Sequence, residues 1–441
     1  MRNLLLASVA SMGALLAATS GAMAQPVKPV AAGTVVVHLN GYLQFGINDM
    51  GSTYNTYSGN KLSSVATNGD VRLYAGFDAQ TVSGVDYGTQ IELRTTTSDA
   101  GVGAGKTTGT GSTQGTSSIY VKRAYGYLGT PDVGFIRFGQ TDGAFGLTQT
   151  GVIEAFGDGS QWPGDGSQVI VLPSGATPGN FIYADTSSLY ATNKILYITP
   201  AYVEPLLGGS LSATVGYEPN SNGIKEGYGS YSTAGSTAAD LASSTSASDL
   251  GKRRQNTFDA GMLYTLKANG FATKADIGFI HGTPIRYNGT TPLTAAQKFD
   301  DLEVLQIGAQ TTFAGLTVGA NVKAGQVKDG YAFKVKGTRD ALAYTIGASY
   351  VLGPYVVGAS FFDSQSAGGY TPGGKVRGRS LSEYGTAVGA NYVIGKDLSL
   401  YVQYMYGHAH QVAGYLSNNG TSNARNSVQV QAIGTGATFK W

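Results

Sequence analysis

One strand-like stretch of the chain reads Leu39-Asn40-Gly41-Tyr42-Leu43-Gln44-Phe45-Gly46-Ile47. Successive side chains of a β-strand point to opposite faces, so this spacing gives one mainly apolar face and one mainly polar face. Residues 258–266 and 398–406 repeat the alternation. We therefore predict an all-β protein.

Sixteen segments with this pattern follow one another, and each is long enough for a tilted membrane strand of ~9–11 residues. They cover residues 34–48, 69–82, 86–98, 118–129, 133–141, 189–204, 209–218, 256–268, 270–281, 300–313, 315–327, 338–352, 354–364, 382–394, 397–410 and 426–441. Short connectors such as Ala268-Asn269-Gly270 alternate with long ones such as 142–188. This sorting is typical of a transmembrane antiparallel up-and-down β-barrel, with short periplasmic turns and long extracellular loops. A soluble β-sandwich would share the periodicity but has no reason to sort its loops.

The composition agrees with a membrane barrel. Charged residues make up 13% of the chain, about half of the usual fraction in soluble proteins. Beyond the first residues, no apolar run approaches the ~18 residues of a spanning helix, and only helices and closed barrels satisfy their backbone groups in lipid. The chain has no cysteine and a formal net charge of +2. We expect no disulfides, no cofactor and no nucleic-acid partner.

The first 24 residues have the features of a secretory signal peptide. Arg2 supplies the positive start, Leu4 to Ala18 is an apolar run, and Ala22-Met23-Ala24 is a small-x-small cleavage site. We predict cleavage after Ala24, export, and a single barrel domain over residues 25–441.

Three stretches resemble the general diffusion porins of Gram-negative bacteria. Residues 37–43 resemble the first strand of that family, residues 123–129 and 134–140 resemble the two strands before its constriction loop, and the chain ends in Ala437-Thr438-Phe439-Lys440-Trp441. The resemblance implies a sixteen-stranded homotrimer in the outer membrane, with a water-filled pore in each subunit. It also implies that Phe439 and Trp441 form the signal that the barrel-assembly machinery reads.

Three details depart from a regular pattern. The family usually ends in Phe, whereas this chain ends in Trp441. Many members have Gly-Arg before the constriction loop, whereas Gly139-Gln140 stands here, so a positive charge of the pore lining is expected to be missing or moved. In the last strand, strict alternation puts Val430 and Phe439 on opposite faces, and a bulge near Ala432 would bring both apolar side chains to the same face.

The longest connector, residues 142–188, is the candidate constriction loop. It carries the acidic residues Asp142, Glu154, Asp158 and Asp165, and no Lys or Arg occurs from Thr141 to Asn193. Loops of this length are usually functional or disordered. We predict that it folds into the barrel and lines the pore; the alternative is a solvated acidic loop at the cell surface.

The barrel wall that faces this loop is predicted to be basic. Arg72 and Arg94 share strand faces with polar residues, and a charge on the lipid face would cost ~2–4 kcal/mol at the midplane. Either Lys122 or Arg123 joins them, and the alternation does not decide between the two. Acidic and basic groups on opposite sides of a narrow aqueous gap would set ion preference and orient dipolar solutes.

These features predict a channel for passive diffusion of ions and small hydrophilic solutes. Small inward residues (Gly76, Gly126, Gly261 and Gly389) suggest open space in the lumen. Luminal tyrosines (Tyr42, Tyr74 and Tyr401) keep open a selective channel for sugars or organic anions. A barrel enzyme would have to use His281 or His408, beside which no nucleophile motif stands. His408 and His410 have no third metal ligand nearby in sequence, so no metal site is expected.

Basic residues in the long loops suggest an outer-membrane partner. Examples are Lys334, Lys336 and Arg339. They could pair with lipopolysaccharide phosphates or draw anions to the mouth, or they could be ordinary solvated charges.

Overall fold

The computed structural model describes residues 31–52, 64–98, 119–159, 192–203, 208–220, 254–284, 287–288, 291–292, 298–328, 333–367, 380–411 and 427–441. Within them one antiparallel sheet closes on itself, because its strands pair in chain order and the first strand pairs with the last. The strands are β1 (Val35–Ser52), β2 (Val65–Gln80), β3 (Asp86–Ser98), β4 (Tyr120–Thr130), β5 (Gly134–Thr141), β6 (Thr192–Ile198), β7 (Tyr202–Val203), β8 (Ser210–Asn220), β9 (Arg254–Ala268), β10 (Phe271–Pro284), β11 (Tyr287–Asn288), β12 (Thr291–Pro292), β13 (Leu302–Phe313), β14 (Leu316–Gln326), β15 (Ala341–Leu352), β16 (Tyr355–Ala367), β17 (Ser380–Gly395), β18 (Leu398–Gln411) and β19 (Ser427–Lys440).

The sheet is a barrel of sixteen strands, as predicted. The two-residue β7 continues the line of β6 along β8, and β11 and β12 form a separate hairpin in the connector between β10 and β13. The segment predicted as one strand over 189–204 is therefore interrupted. Pro200 lies in the interruption and has no N–H to donate to a neighbouring strand.

The two faces of the barrel differ in polarity. Ile307 and Ile346 are about half exposed on the outer face, whereas the adjacent Gln306 and Thr345 point inward and are buried. An apolar outer surface around a polar interior is the arrangement of a membrane barrel. Within the described ranges, no helix is long and apolar enough to cross a bilayer.

Aromatic side chains gather on the outer face where short turns join the strands, here called the short-turn end. Phe271 stacks on Phe313 with ring centroids 4.3 Å apart, and Tyr355 lies 5.2 Å from Tyr392. Amphipathic and aromatic rings are enriched at the level of lipid headgroups. The opposite end of the barrel carries the long connectors and is called the long-loop end.

The predicted bulge near Ala432 is wrong. Strand β19 pairs without a register shift with both β1 and β18. Val430 and Ala432 point inward and are buried, whereas Phe439 is exposed on the outer face. The apolar residues of this strand change from inner to outer positions along its length, because the interior of the barrel is apolar at the height of Val430. An apolar residue at that height need not face lipid.

The C-terminal residue helps to close the barrel. The N–H of Gly41 donates to the carbonyl of Trp441 at 3.1 Å, and the N–H of Trp441 donates to the carbonyl of Gly41 at 3.2 Å. The indole ring of Trp441 lies directly over Gly41, in the space that a Cβ atom would occupy. Glycine at position 41 therefore allows the last residue to pack against the first strand.

Gly41→Val is expected to destabilise the closed barrel by about 1–3 kcal/mol, because the new side chain overlaps the indole ring of Trp441. The midpoint of thermal unfolding of the refolded barrel in detergent, followed by far-UV circular dichroism, measures the effect. Gly395→Val is the control, since no atom lies within 4 Å of the Cβ position there. Equal midpoints for the two variants would contradict the assigned role of Gly41.

Candidate functional site

The segment that follows β5 runs inside the barrel. Residues 142–159, here called the inner loop, begin at the end of β5 and include one short helix, α1 (Ala144–Leu147). Ala144, Phe145 and Phe156 are almost fully buried. The described part of the predicted constriction loop thus folds inward; residues 160–188, and with them Asp165, lie outside the described ranges.

The barrel wall holds the inner loop by hydrogen bonds to its backbone. The carboxylates of Asp259 and Asp276 accept from the N–H groups of Phe145 and Thr150, at 3.2 Å and 2.9 Å. Further inward side chains that contact loop backbone are Gln44, Gln310, Asn321, Asn391 and Gln403. A segment with little regular secondary structure must find partners for its buried polar groups, and here inward polar side chains supply many of them.

Glycines of the wall let the inner loop approach closely. A Cβ at Gly319 would lie 2.9 Å from the Ile153 side chain, and one at Gly389 would lie 3.1 Å from the Cα of Gly157. At Gly261 a Cβ would overlap the Thr148 side chain. The prediction that Gly261 and Gly389 leave open space is therefore wrong, because these two glycines contact the loop.

Four charged side chains form a buried chain between the wall and the start of the inner loop. Arg94 donates to Glu92, which also accepts from Arg123. The Nε of Arg123 lies 3.0 Å and 2.8 Å from the two carboxylate oxygens of Asp142. The planar guanidinium of Arg123 can bind two carboxylates at once because its donors are arranged as a fork. Asp142 is thus in direct contact with a predicted wall base.

A bulge in β4 places both Lys122 and Arg123 inside the barrel, so the sequence did not have to choose between them. Opposite β3, the register shifts so that Glu92 pairs with Arg123 while Leu93 pairs with Val121. Lys122 is the extra residue, and both Lys122 and Arg123 are buried within the barrel. A bulge of this kind breaks the alternation of side chains, which a strict period of two cannot show. It also turns Gly126, predicted to be luminal, to the outer face beside Phe138.

Two further arginines line the inside of β2 and β5. Arg72 donates to Asp70 at 2.6 Å, and its guanidinium lies 5.0 Å from the ring centroid of Tyr42. Arg137 is buried, lies 4.4 Å above the ring of Tyr125 and donates weakly to Thr141. Sequence reasoning missed Arg137, although its alternation with the apolar Ile136 and Phe138 could have indicated an inward position.

Gln140, taken as a missing pore charge, points away from the lumen. Its side-chain amide donates to the carbonyls of Val121 and Lys122, at 3.4 Å and 3.2 Å. It therefore supports the bulged part of β4. A glutamine at position 140 removes no charge from the inside of this barrel.

The other two described loop acids are also buried. Glu154 follows Ile153, whose side chain packs on the wall glycines Gly319 and Gly347. Asp158 is held through its backbone: its N–H donates to Gln403 at 2.7 Å and its carbonyl accepts from Gln44 at 3.0 Å.

No group of three or more potential metal ligands occurs among the described residues. His281 lies 3.4 Å from Glu303, and His408 stacks on Tyr384 with ring centroids 4.8 Å apart. Their strand parity places both histidines on the outer face near the long-loop end.

Comparison with known proteins identifies relatives. A family model described as Gram-negative porin matches residues 9–411, and no curated protein matches the sequence. The outer membrane channel DcaP of Acinetobacter baumannii superposes with a TM-score of 0.54 at 15% identity, covering 94% of this chain and 99% of that chain. OmpT of Vibrio cholerae, in its trimer form, gives 0.49 at 12%, covering 92% and 100%. A triple mutant of the Rhodopseudomonas blastica porin gives 0.47 at 16%, again covering 92% and 100%.

Proposed function

This chain belongs to the Gram-negative porin family and forms an outer-membrane channel, and we propose that it conducts ions and small hydrophilic solutes by passive diffusion through a constriction made by the inner loop. The constriction lies between residues 142–159 and the facing wall, defined as the inward side chains of β2 to β5. The proposed pore-lining acids are Asp142, Glu154, Asp158 and Asp165, and the proposed bases are Arg72, Arg94, Lys122, Arg123 and Arg137.

One observation carries the proposal: the chain of contacts from Arg94 through Glu92 and Arg123 to Asp142. It joins the facing wall to the first residue of the inner loop. Charged groups concentrated at one height of a channel determine which ions pass. The family supports a channel in general terms, and the charge arrangement supports the location of its selective part.

Single-channel recording of the refolded mature protein in a planar bilayer tests this function. We expect steady conductance, and a reversal potential in a salt gradient that reports which sign of ion the charged constriction favours. Steps in groups of three would support the proposed homotrimer. A correctly folded barrel without conductance would contradict the proposal.

A substrate-selective channel for sugars or organic anions is the second candidate. The specific observation in its favour is a guanidinium group beside a phenol ring on a partly exposed part of the inner wall, Arg72 beside Tyr42. Such surfaces offer both charge and a flat face to a passing solute. Saturable flux of one solute class would favour this candidate, whereas flux linear in concentration would favour general diffusion.

We assign no enzymatic role. A barrel enzyme would require His281 or His408 beside a nucleophile, but these side chains contact Glu303 and Tyr384 on the outer face.

Export and assembly complete the proposal. We propose cleavage of residues 1–24, recognition of Phe439 and Trp441 by the barrel-assembly machinery, and contact with lipopolysaccharide through exposed bases such as Lys336 and Arg339. Residues 1–30 lie outside the described ranges, so mass spectrometry of the exported protein would test the cleavage.

A further inference from the structure

A cluster of apolar side chains lies inside the barrel on one side, although the interior of a water-filled barrel is normally polar. Inward polar side chains such as Lys323 and Glu383 lie among its members. On β10 and β13 to β19, inward residues of the long-loop half are almost completely buried from solvent. We call this set the luminal apolar cluster: Ile280, Leu302, Val304, Val327, Phe333, Ala341, Ala343, Phe362, Ala387, Met405, Val430 and Ala432. The members that belong to strands lie inside the barrel because they alternate with exposed outer residues such as Leu342 and Leu305, whereas Val327 and Phe333 lie in the connector between β14 and β15.

A second inward segment covers part of this cluster. Residues 333–340, the mouth loop, lie in the connector between β14 and β15, and Phe333 is 1% exposed. Its ring centroid lies 6.1 Å from that of Phe299, and Val335 forms a β-bridge with Phe299. An apolar side chain buried so completely indicates that this segment is packed against the barrel interior rather than extended into solvent.

An ion-pair cluster fixes the same segment. The Nζ of Lys334 lies 2.6 Å from Asp300 and 3.1 Å from Asp340, and it also donates to the carbonyl of Thr338 at 3.1 Å. Burial lowers the pKa of Lys334, but the hydrogen bonds to the two carboxylates outweigh burial, and the pKa lies above its ordinary value. Lys334 is therefore engaged within the protein, which leaves Lys336 and Arg339 as the exposed bases of this loop.

The luminal apolar cluster also includes residues of the inner loop. Phe145, Ile153 and Phe156 pack into it from the short-turn side, while Phe333 packs from the long-loop side. Both segments thus share one hydrophobic core within the barrel. By contrast, the inner faces of β1 to β5 carry polar side chains, including Asn40, Tyr42, Gln90, Arg94 and Arg137.

We propose that conduction is confined to the side of the lumen lined by β1 to β5, and that Phe333 and the luminal apolar cluster are determinants of pore size. The cluster fills the side lined by β10 to β19 as a packed core, so the aqueous path is narrower than a sixteen-stranded barrel would allow. This inference rests on the proposed channel function, and it assigns the size limit to residues outside the charged constriction.

Cysteine accessibility tests the proposal directly, because the natural chain contains no cysteine. Asn40→Cys places a thiol on the polar side, and Ala343→Cys and Ala387→Cys place one in the luminal apolar cluster. With a charged methanethiosulfonate reagent added to the folded protein, we expect Asn40→Cys to react at least about tenfold faster than either cluster variant, since a packed core must open before it reacts. All three should react fully after unfolding.

Comparable labelling of Ala343→Cys, Ala387→Cys and Asn40→Cys in the folded barrel would overturn the proposal. Labelling is read by mass and does not depend on current, so it separates this inference from the channel function. If the wild type conducts nothing, the proposed function fails, whereas the labelling pattern still reports the packed side.

Phe333→Ala provides a second test with a functional readout. We expect this variant to admit larger neutral solutes, such as longer polyethylene glycols, than the wild type, because the mouth loop loses its buried anchor. Phe279→Ala is the matched control, since Phe279 is 40% exposed on the outer face. An unchanged size limit in a folded Phe333→Ala barrel would overturn the role assigned to Phe333.

Discussion

Arg123→Gln is expected to shift the reversal potential of the channel toward cation preference and to lower barrel stability. Arg123 is buried and binds both Glu92 and Asp142, so its loss removes one positive charge and leaves two carboxylates with fewer partners. Removing one partner of a buried ion pair typically costs about 3–5 kcal/mol. The two effects are measured separately, by recording in a salt gradient and by thermal unfolding.

Two controls separate the charge of Arg123 from its shape. Arg123→Lys keeps the charge but loses the fork that binds two carboxylates, so we expect nearly unchanged ion preference with reduced stability. Arg339→Gln removes a positive charge from an exposed position at the long-loop end, and we expect little effect on stability there. A conducting Arg123→Gln channel with wild-type ion preference would remove Arg123 from the proposed selective region.

Gly319→Val is expected to release the inner loop from the wall and to increase open-channel current noise. A Cβ at this position would lie 2.9 Å from both the Gly151 carbonyl and the Ile153 side chain, and valine adds two methyl groups. Overpacking of about 1–3 kcal/mol would shift the ratio of docked to undocked loop by roughly 5- to 150-fold. Current fluctuations and the voltage of channel closure, recorded on single channels, measure this shift.

Ala320→Val is the matched control for the loop contact. Ala320 is the next residue of β14 and is exposed on the outer face, so valine there enlarges the lipid-facing surface without touching the loop. We expect wild-type noise in Ala320→Val. Equal noise in both variants would contradict a positioning role for the contact between Gly319 and the inner loop.

The period-two pattern and the sorted connectors were sufficient to predict the barrel and its strand number. Alternation in 39–47 correctly assigned Tyr42 and Gln44 to the interior, because in an unbroken strand sequence parity alone decides the side. The same rule failed where the ladder is irregular. The bulge at Lys122 reverses the parity of β4, and nothing in the local sequence marks that position.

The candidate site was only partly predictable. The acidic character of the inner loop and the basic character of β2 to β4 could be read from composition and parity. Arg137 was overlooked, and the sequence did not show that the Gln140 side chain points away from the lumen. The hydrogen bonds that hold the loop could not have been predicted, since partners such as Asn391 and Gly157 are separated by 234 positions.

The sequence by itself determined which kind of surface each strand presents, because alternation and turn chemistry are local properties of the chain. Only the tertiary structure decided what occupies the lumen. Ala343 and Val430 look like ordinary small or apolar strand residues, but they belong to one buried cluster with Phe333 and Ile153, which come from distant loops. Contacts between segments far apart in sequence form only when the barrel closes, so the packed and polar sides of the lumen follow from closure rather than from any local pattern.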